Sequence, residues 1–353
     1  MGVYYIIYML ILMVSVLLYA KDFNKQKAKK IICIVAFVSL FLMFALRHPR
    51  MGIDLGYGQS NGYLASFSTI ARFSWFDAFQ NKVMHYERGY ILFNKLVSVF
   101  SENQQFFLAV SAFVTLLPIV YVIFKDCDYP DLAIYVYIGL PSFMMTYSGV
   151  RQAIAISICF LALMYIINKK PIKFILTVLL AMTFHDSAWI FLPAYPVYYL
   201  PMNRSRRMYS YLAIPFVYVF RYQLFSVFHV LFKEEMAPDY NNAFTLFFIF
   251  SLVYVFCGIF SDESERTAGL KNIFFVGCGI QALGGVQSTV MRVGYYFMNA
   301  LILLLPLLVA KMQNRQNARI IKIVVSICFI LFGLYSIRRG SWSKSYPYDW
   351  FWH

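Results

Sequence analysis

The sequence predicts an all-α integral membrane protein, a polytopic helical bundle with about twelve transmembrane helices and a partly helical external loop region. Three observations carry this. The 353 residues are 61% hydrophobic, 20% aromatic and only 13% charged, whereas soluble domains hold about 45–50% apolar and about 25% charged residues. The apolar residues fall in runs close to the ~20 residues that span a hydrocarbon core. The formal net charge of +15 gathers in alternate connecting segments. That pattern marks cytoplasmic loops rather than a nucleic-acid surface, and no basic patch accompanies a soluble nucleic-acid-binding architecture.

Twelve apolar segments are expected in order, at about residues 2–20, 31–46, 106–124, 132–148, 150–167, 172–184, 187–200, 209–231, 243–260, 272–286, 293–310 and 320–337. The first lacks a basic N-terminal flank and a small-residue cleavage site, so a retained span is expected. With the N-terminus outside, segments 21–30, 125–131, 168–173, 201–208, 261–271 and 311–322 are cytoplasmic and hold 18 of the 31 Lys and Arg residues. Twelve lie outside, half of them in 47–105. A single helix over 172–200 would place RSRR (204–207) outside, against the positive-inside rule. Two helices meeting at an external break, at His185–Asp186, are expected instead.

The whole chain, 1–353, reads as one membrane domain, with 47–105 an external or re-entrant cap within it. In that cap YILFNKLVSVF (90–100) is helical in pattern but half a span long and carries Lys95, which suits an interfacial or re-entrant helix. The tail SWSKSYPYDWFWH is placed outside, its aromatics at the membrane interface. Cys33, Cys127, Cys159, Cys257, Cys278 and Cys328 are scattered with no CxxC, so free thiols are expected, with neither a metal site nor a disulfide framework.

Ionisable residues within apolar sequence mark cavities, helix breaks or bundle interiors. In this topology Arg47, Asp54, Glu87, Arg151, His185 and Arg292 all fall at external helix ends or in the cap. Arg151, in YSGVRQAIAISI, is expected in a first helical turn capped by Ser148, with Gln152 beside it. Free N–H groups and an added cation there form an anion site; the competing explanation is an arginine snorkelling to headgroups. In MTFHDSAWIF, Asp186 or Ser187 is expected to cap the following helix, and His185 is either a hydrogen-bonded core histidine or a group facing a cavity. Three adjacent residues do not make a Ser–His–Asp triad. Arg292 and Tyr296 lie one turn apart on one face. Asp54 and Glu87 are external carboxylates for which a solvated surface role competes. Among these external residues no closely spaced carboxylate pair for a hard cation is present.

These residues resemble the EpsG/Wzy-like family of bacterial polysaccharide polymerases. The matching features are Arg47 followed by Gly52 and Asp54, Glu87-x-Gly89-Tyr90, RQAIA (151–155), FHDSA (184–188) with Leu192–Pro193, and Arg292 with Tyr296–Phe297. They extend over about 45–300. Ile53 stands where the family pattern has Thr. The resemblance implies a glycosyltransferase at the external face of the bacterial cytoplasmic membrane. It would transfer a growing glycan from undecaprenyl diphosphate to the non-reducing end of a lipid-linked oligosaccharide repeat. A flippase and a chain-length regulator of the same pathway are the implied partners.

Departure of diphosphate builds negative charge that preorganised arginines stabilise, so no metal or other cofactor is expected. Arg151 and Arg292, with Arg47 as a third clamp and Gln152 and Tyr296 nearby, are the candidate diphosphate and glycan ligands. His185, Glu87 and Asp54 are candidate bases, His185 first because its ordinary pKa lies near neutrality. A flippase of lipid-linked oligosaccharide and a glycan ligase are the competing functions; broken helices with buried charge also serve transport.

Overall fold

Local sequence signals set the helix boundaries in the computed structural model, which describes residues 1–20, 23–80, 86–201, 203–232, 244–260, 264–340 and 343–352. Eighteen α-helices are found among them: α1 Gly2–Ala20, α2 Lys25–Ala45, α3 Tyr63–Arg72, α4 Trp75–Gln80, α5 Arg88–Phe100, α6 Gln104–Asp126, α7 Pro130–Gly139, α8 Pro141–Met145, α9 Val150–Ile167, α10 Pro171–Met182, α11 Ala194–Tyr198, α12 Arg204–Val219, α13 Arg221–Phe232, α14 Phe244–Ile259, α15 Glu265–Leu283, α16 Ser288–Met298, α17 Leu301–Lys311 and α18 Arg315–Arg339. Asn24, Asn103, Asn203 and Asn314 each cap a helix through a side-chain oxygen that accepts backbone N–H bonds. Pro130, Pro141 and Pro171 open α7, α8 and α10, where a missing N–H costs nothing.

Six of the helical paths are long and apolar enough to cross a membrane: Gly2–Tyr19, Lys25–Ala45, Gln104–Asp126, Val150–Ile167, Thr289–Lys311 and Arg315–Arg339. The helical membrane class is therefore as expected, but among the described residues the count by length and composition is six, not twelve, with Pro171–Met182 and Phe244–Ile259 shorter apolar helices. The fifth path runs through α16 and α17, because Asn299 and Ala300 keep right-handed helical backbone between them. Several expected segments are broken. The 132–148 segment divides at Leu140, whose extended backbone precedes Pro141. The 209–231 segment divides at Phe220, into α12 and α13. The 187–200 segment is a 3₁₀ helix, Asp186–Phe191, and the five-residue α11. Parts of the expected 21–30 and 261–271 loops, of the cap and of the tail lie outside the described residues.

Every residue of α7 is buried, as is most of α17. These helices pack on each other and form the middle of the bundle. By contrast the most apolar stretches of α1 and α18 are only 28% and 22% buried, which leaves apolar side chains for lipid.

One end of the bundle is knitted together. The C-terminal tail returns to the end of α2: His48 N donates to Asp349 O (2.8 Å), Phe351 N donates to Leu46 O (3.0 Å), and Arg50 pairs with Asp349. Gln105, at the start of α6, donates to the carbonyls of Ala45 (2.5 Å) and Arg47 (2.9 Å). The cap covers this end with α3, α4 and α5. Lys95, expected at an interface, is instead buried, and its ammonium donates to Ile70 O, Ala71 O and Phe73 O. It thus satisfies the C-terminal carbonyls of α3, where a cation also complements the helix dipole.

Candidate functional site

The cap reaches the bundle through two close backbone approaches, each at a glycine. Gly52, at φ +116°, sits so close to the carbonyl of Tyr147 that a Cβ would overlap it. The turn so allowed carries Asp54, whose N–H donates to Ser148 Oγ (3.1 Å). At Gly89 a Cβ would overlap Thr183; without one, Tyr90 N donates to Thr183 O (3.1 Å) at the end of α10. Glu87 is thereby held against the helix break at 183–186.

Glu87 and Arg151 form an ion pair, with side chains 9% and 19% exposed. The other carboxylate oxygen of Glu87 accepts the backbone N–H of Asp186 (3.0 Å). Arg151 stands in the first turn of α9, as the sequence predicts, but Gly149 rather than Ser148 is the capping residue, and it makes no side-chain cap bond. Ser148 is diverted to the Asp54 amide. The Arg151 guanidinium lies over the rings of Tyr86 (4.3 Å) and Tyr63 (5.7 Å). Three tyrosines, at 63, 86 and 90, form this surround. Sequence reasoning named Tyr90 only as part of the Glu-x-Gly-Tyr feature and missed Tyr63 and Tyr86, although the run YERGY (86–90) put Tyr86 beside Glu87.

His185 departs from expectation. It caps the 3₁₀ helix itself: its Nδ1 accepts the backbone N–H of Ser187 (3.3 Å) and lies 2.8 Å from Ser187 Oγ. A nitrogen that accepts an amide proton carries none of its own, so the neutral ring holds its proton on Nε2. Burial pushes the imidazole down to about 4, helped by the Arg151 and Arg292 guanidiniums and opposed by Asp186. Near neutral pH His185 is therefore an uncharged N–H donor, a geometry that suits hydrogen bonding to an oxyanion better than accepting a proton. Ser187 Oγ in turn lies 3.1 Å from Tyr296 Oη, and Gln152 Nε2 donates to Arg292 O (3.4 Å). Through these contacts α9, α16 and the break bring Arg151, Gln152, His185, Arg292 and Tyr296 to one place.

Two cavities flank the Arg151–Glu87 pair, and Tyr86 lines both. The first, about 560 Å³, is bounded by Glu87, Arg88, Asp186, Thr183, Leu179 and Met182. The second, about 320 Å³, is bounded by Arg151, Tyr63, Asp54, Gln59 and Asn61 among others. The carboxylate of Asp54 makes no hydrogen bond among the described residues, so it faces this second space without a protein donor. Of the expected site residues, Glu87 lines the first cavity and Asp54 and Arg151 the second, whereas Gln152, His185, Arg292 and Tyr296 line neither and Arg47 stands apart. It is 2% exposed, enclosed by Phe44 (5.6 Å) and Tyr147 (5.0 Å), and burial pushes its guanidinium down to about 10. No group of three His, Cys, Asp or Glu side chains is gathered for a metal among the described residues.

A family model described as the EpsG family matches residues 30–350. The chain belongs to the EpsG family. This is a Wzy-like polysaccharide polymerase family, so the resemblance carried by RQAIA and FHDSA is confirmed over nearly the whole chain. The match takes in every residue of both cavities in this EpsG-family protein. No curated protein and no solved structure matches the chain.

Proposed function

We propose that this EpsG-family protein is a membrane glycosyltransferase that joins oligosaccharide repeats carried on undecaprenyl diphosphate. Transfer runs from the lipid diphosphate to the non-reducing end of the next lipid-linked repeat, at the external face of the bacterial cytoplasmic membrane. The observation that carries this reading is the pair of cavities meeting at Tyr86 across the Arg151–Glu87 ion pair. One holds an acidic side chain without a hydrogen-bond donor, and both adjoin cations.

The acceptor hydroxyl attacks the anomeric carbon, and its proton passes to the Asp54 carboxylate. The bond from that carbon to the diphosphate oxygen breaks, and its electron pair leaves with the diphosphate. Arg151 and Arg292 stabilise the departing charge, with the Nε2–H of His185 as a neutral donor; such preorganised donors act most strongly where water is scarce. Glu87, already engaged by a guanidinium and an amide, positions Arg151. The first cavity takes the donor, because Leu179 and Met182 open it toward the lipid-facing side of α10. There Ile172, Leu176 and Leu179 are 73%, 60% and 45% exposed, a stripe along which an isoprenoid chain can lie. The second cavity, with Asn61, Gln59 and two tyrosines, takes the acceptor glycan. This chemistry calls for no metal.

The test is the lipid-linked saccharide of the native host after deletion of the gene, sized and assigned to a membrane face. Single repeats outside, with long polymer gone, support polymerisation; repeats stranded on the cytoplasmic face would make the protein a flippase. Normal polymer that fails only to reach its final carrier would make it a ligase.

A further inference from the structure

At the far ends of α2 and α18 from the cap lies a second charged space of about 550 Å³. The 21 residues of α2 separate it from Leu46 by roughly 30 Å at ~1.5 Å per residue. Two helices each present a pair of cations to it: Lys25 and Lys29, four apart on α2, and Arg319 and Lys322, three apart on α18. Such spacings place each pair on one helix face. One carboxylate, Asp128, shares the wall. Lys322 is compensated, pairing with Asp131 at 2.7 Å and lying over the Tyr19 and Tyr129 rings at 4.3 and 4.8 Å. Lys25, Lys29 and Arg319 have no acidic partner within ion-pair distance among the described residues. The opening N–H groups of both helices are already taken by Asn24 and Asn314, so the side chains, not the helix ends, define the site.

We propose that this cavity binds a phosphate-bearing anion, presented either by an anionic phospholipid headgroup or by a soluble phosphate ester. Three cations without a direct ion pair share this space with a single lining carboxylate, and a phosphate relieves the repulsion that remains while its oxygens accept their N–H bonds. A basic pocket between spanning helices at a membrane surface is well placed for a lipid headgroup. The inference rests on the cavity and the helical membrane class, and stands or falls apart from the proposed glycosyl transfer.

The test compares thermal unfolding of the full chain in nanodiscs of phosphatidylcholine alone, in nanodiscs containing phosphatidylglycerol, and in phosphatidylcholine nanodiscs with added inorganic pyrophosphate. The Lys29→Gln/Arg319→Gln double variant removes two cavity cations that have no ion partner. Lys27→Gln/Lys30→Gln removes the same charge from α2 outside the cavity. A Tm rise of several degrees with phosphatidylglycerol, kept by the second variant and lost by the first, supports a lipid ligand. The same dependence with pyrophosphate supports a soluble one. No rise, or a rise lost equally by both variants, overturns the proposal, because the charge then acts only as a diffuse surface.

Discussion

The division of labour between Glu87 and Asp54 is the sharpest consequence of the site geometry, and a pair of isosteric substitutions separates them. Glu87→Gln keeps an oxygen for the Asp186 amide but removes the charge that holds Arg151. The pair is largely buried, with side chains 9% and 19% exposed, so the loss belongs with hydrogen bonds to charged groups, about 1.5–3 kcal/mol. If the guanidinium loosens by about 2 kcal/mol in the transition state, the rate falls about 30-fold. Asp54→Asn instead removes the proposed proton acceptor, for which losses run to about 10²–10⁴-fold.

The assay uses membranes from a strain lacking the gene, supplied with each variant and with lipid-linked repeats extracted from the same strain, and follows polymer length against time and pH. Asp54→Asn is expected to cost more than Glu87→Gln, because it removes the proton acceptor and not a positioning contact. Were Glu87→Gln instead to cost the larger factor while Asp54→Asn stayed near wild type, the base would be Glu87, and the argument from its two occupied oxygens would be wrong.

Three other expectations can be read in the same preparations. His185, with its ring neutral well below the ordinary 6.5, leaves no inflection near that pH; His185→Gln retains an N–H donor and keeps more activity than His185→Ala, which falls about 10²-fold. The same depression sets a stability trend. The unfolded imidazole binds a proton more readily than the folded one, so this contribution is complete above about pH 6.5 and is lost as pH falls toward 4, seen as a Tm that declines over that window in the wild type but less in His185→Gln. Arg151→Lys keeps the charge but loses the planar fork, and is expected to lower the rate about 10–100-fold. Gly89→Ala forces a methyl group against Thr183 and opens the Tyr90–Thr183 backbone bond, for about 1–3 kcal/mol of destabilisation; an unchanged Tm in detergent would contradict that packing.

Composition and hydrophobic runs were enough to read the membrane class, and loop charge was enough to locate the break at His185–Asp186. What they did not reveal is how the apolar runs divide. Whether 187–200 forms a helix depends on which group satisfies the first amides after the break, and His185 wins that place from Asp186 and Ser187 by turning its ring back onto Ser187. The same competition moved Ser148 from helix capping to the Asp54 amide, a contact between residues 94 apart in the chain. Arg47 is enclosed away from the cavities for a related reason. Its place after α2 is visible in the sequence, but the tail that encloses its surroundings arrives from some 300 residues away, through Tyr348 and Trp350. Local pattern identified the polar residues; tertiary contacts decided which of them face a cavity.

The placement of Arg151 then has a physical consequence. A cation in the first turn of α9 opposes the positive end of the helix dipole, and Arg292 adds further positive potential, to which the depressed His185 responds. Three features offset this: the Glu87 carboxylate, the faces of Tyr86 and Tyr63, and a histidine that remains uncharged. Under the proposed function, a diphosphate bound beside the Arg151–Glu87 pair would bring the anion that the helix end, Arg151 and Arg292 all favour, and it would compete with Glu87 for the same guanidinium. Glu87 would then lower the affinity for stray small anions while keeping Arg151 aimed between the two cavities. Only a ligand whose phosphates, glycan and lipid chain all find their places would gain enough contact to draw Arg151 away from it. On this reading the ion pair at the centre of the site acts as a selectivity element, one that favours a lipid-linked diphosphate over free phosphate.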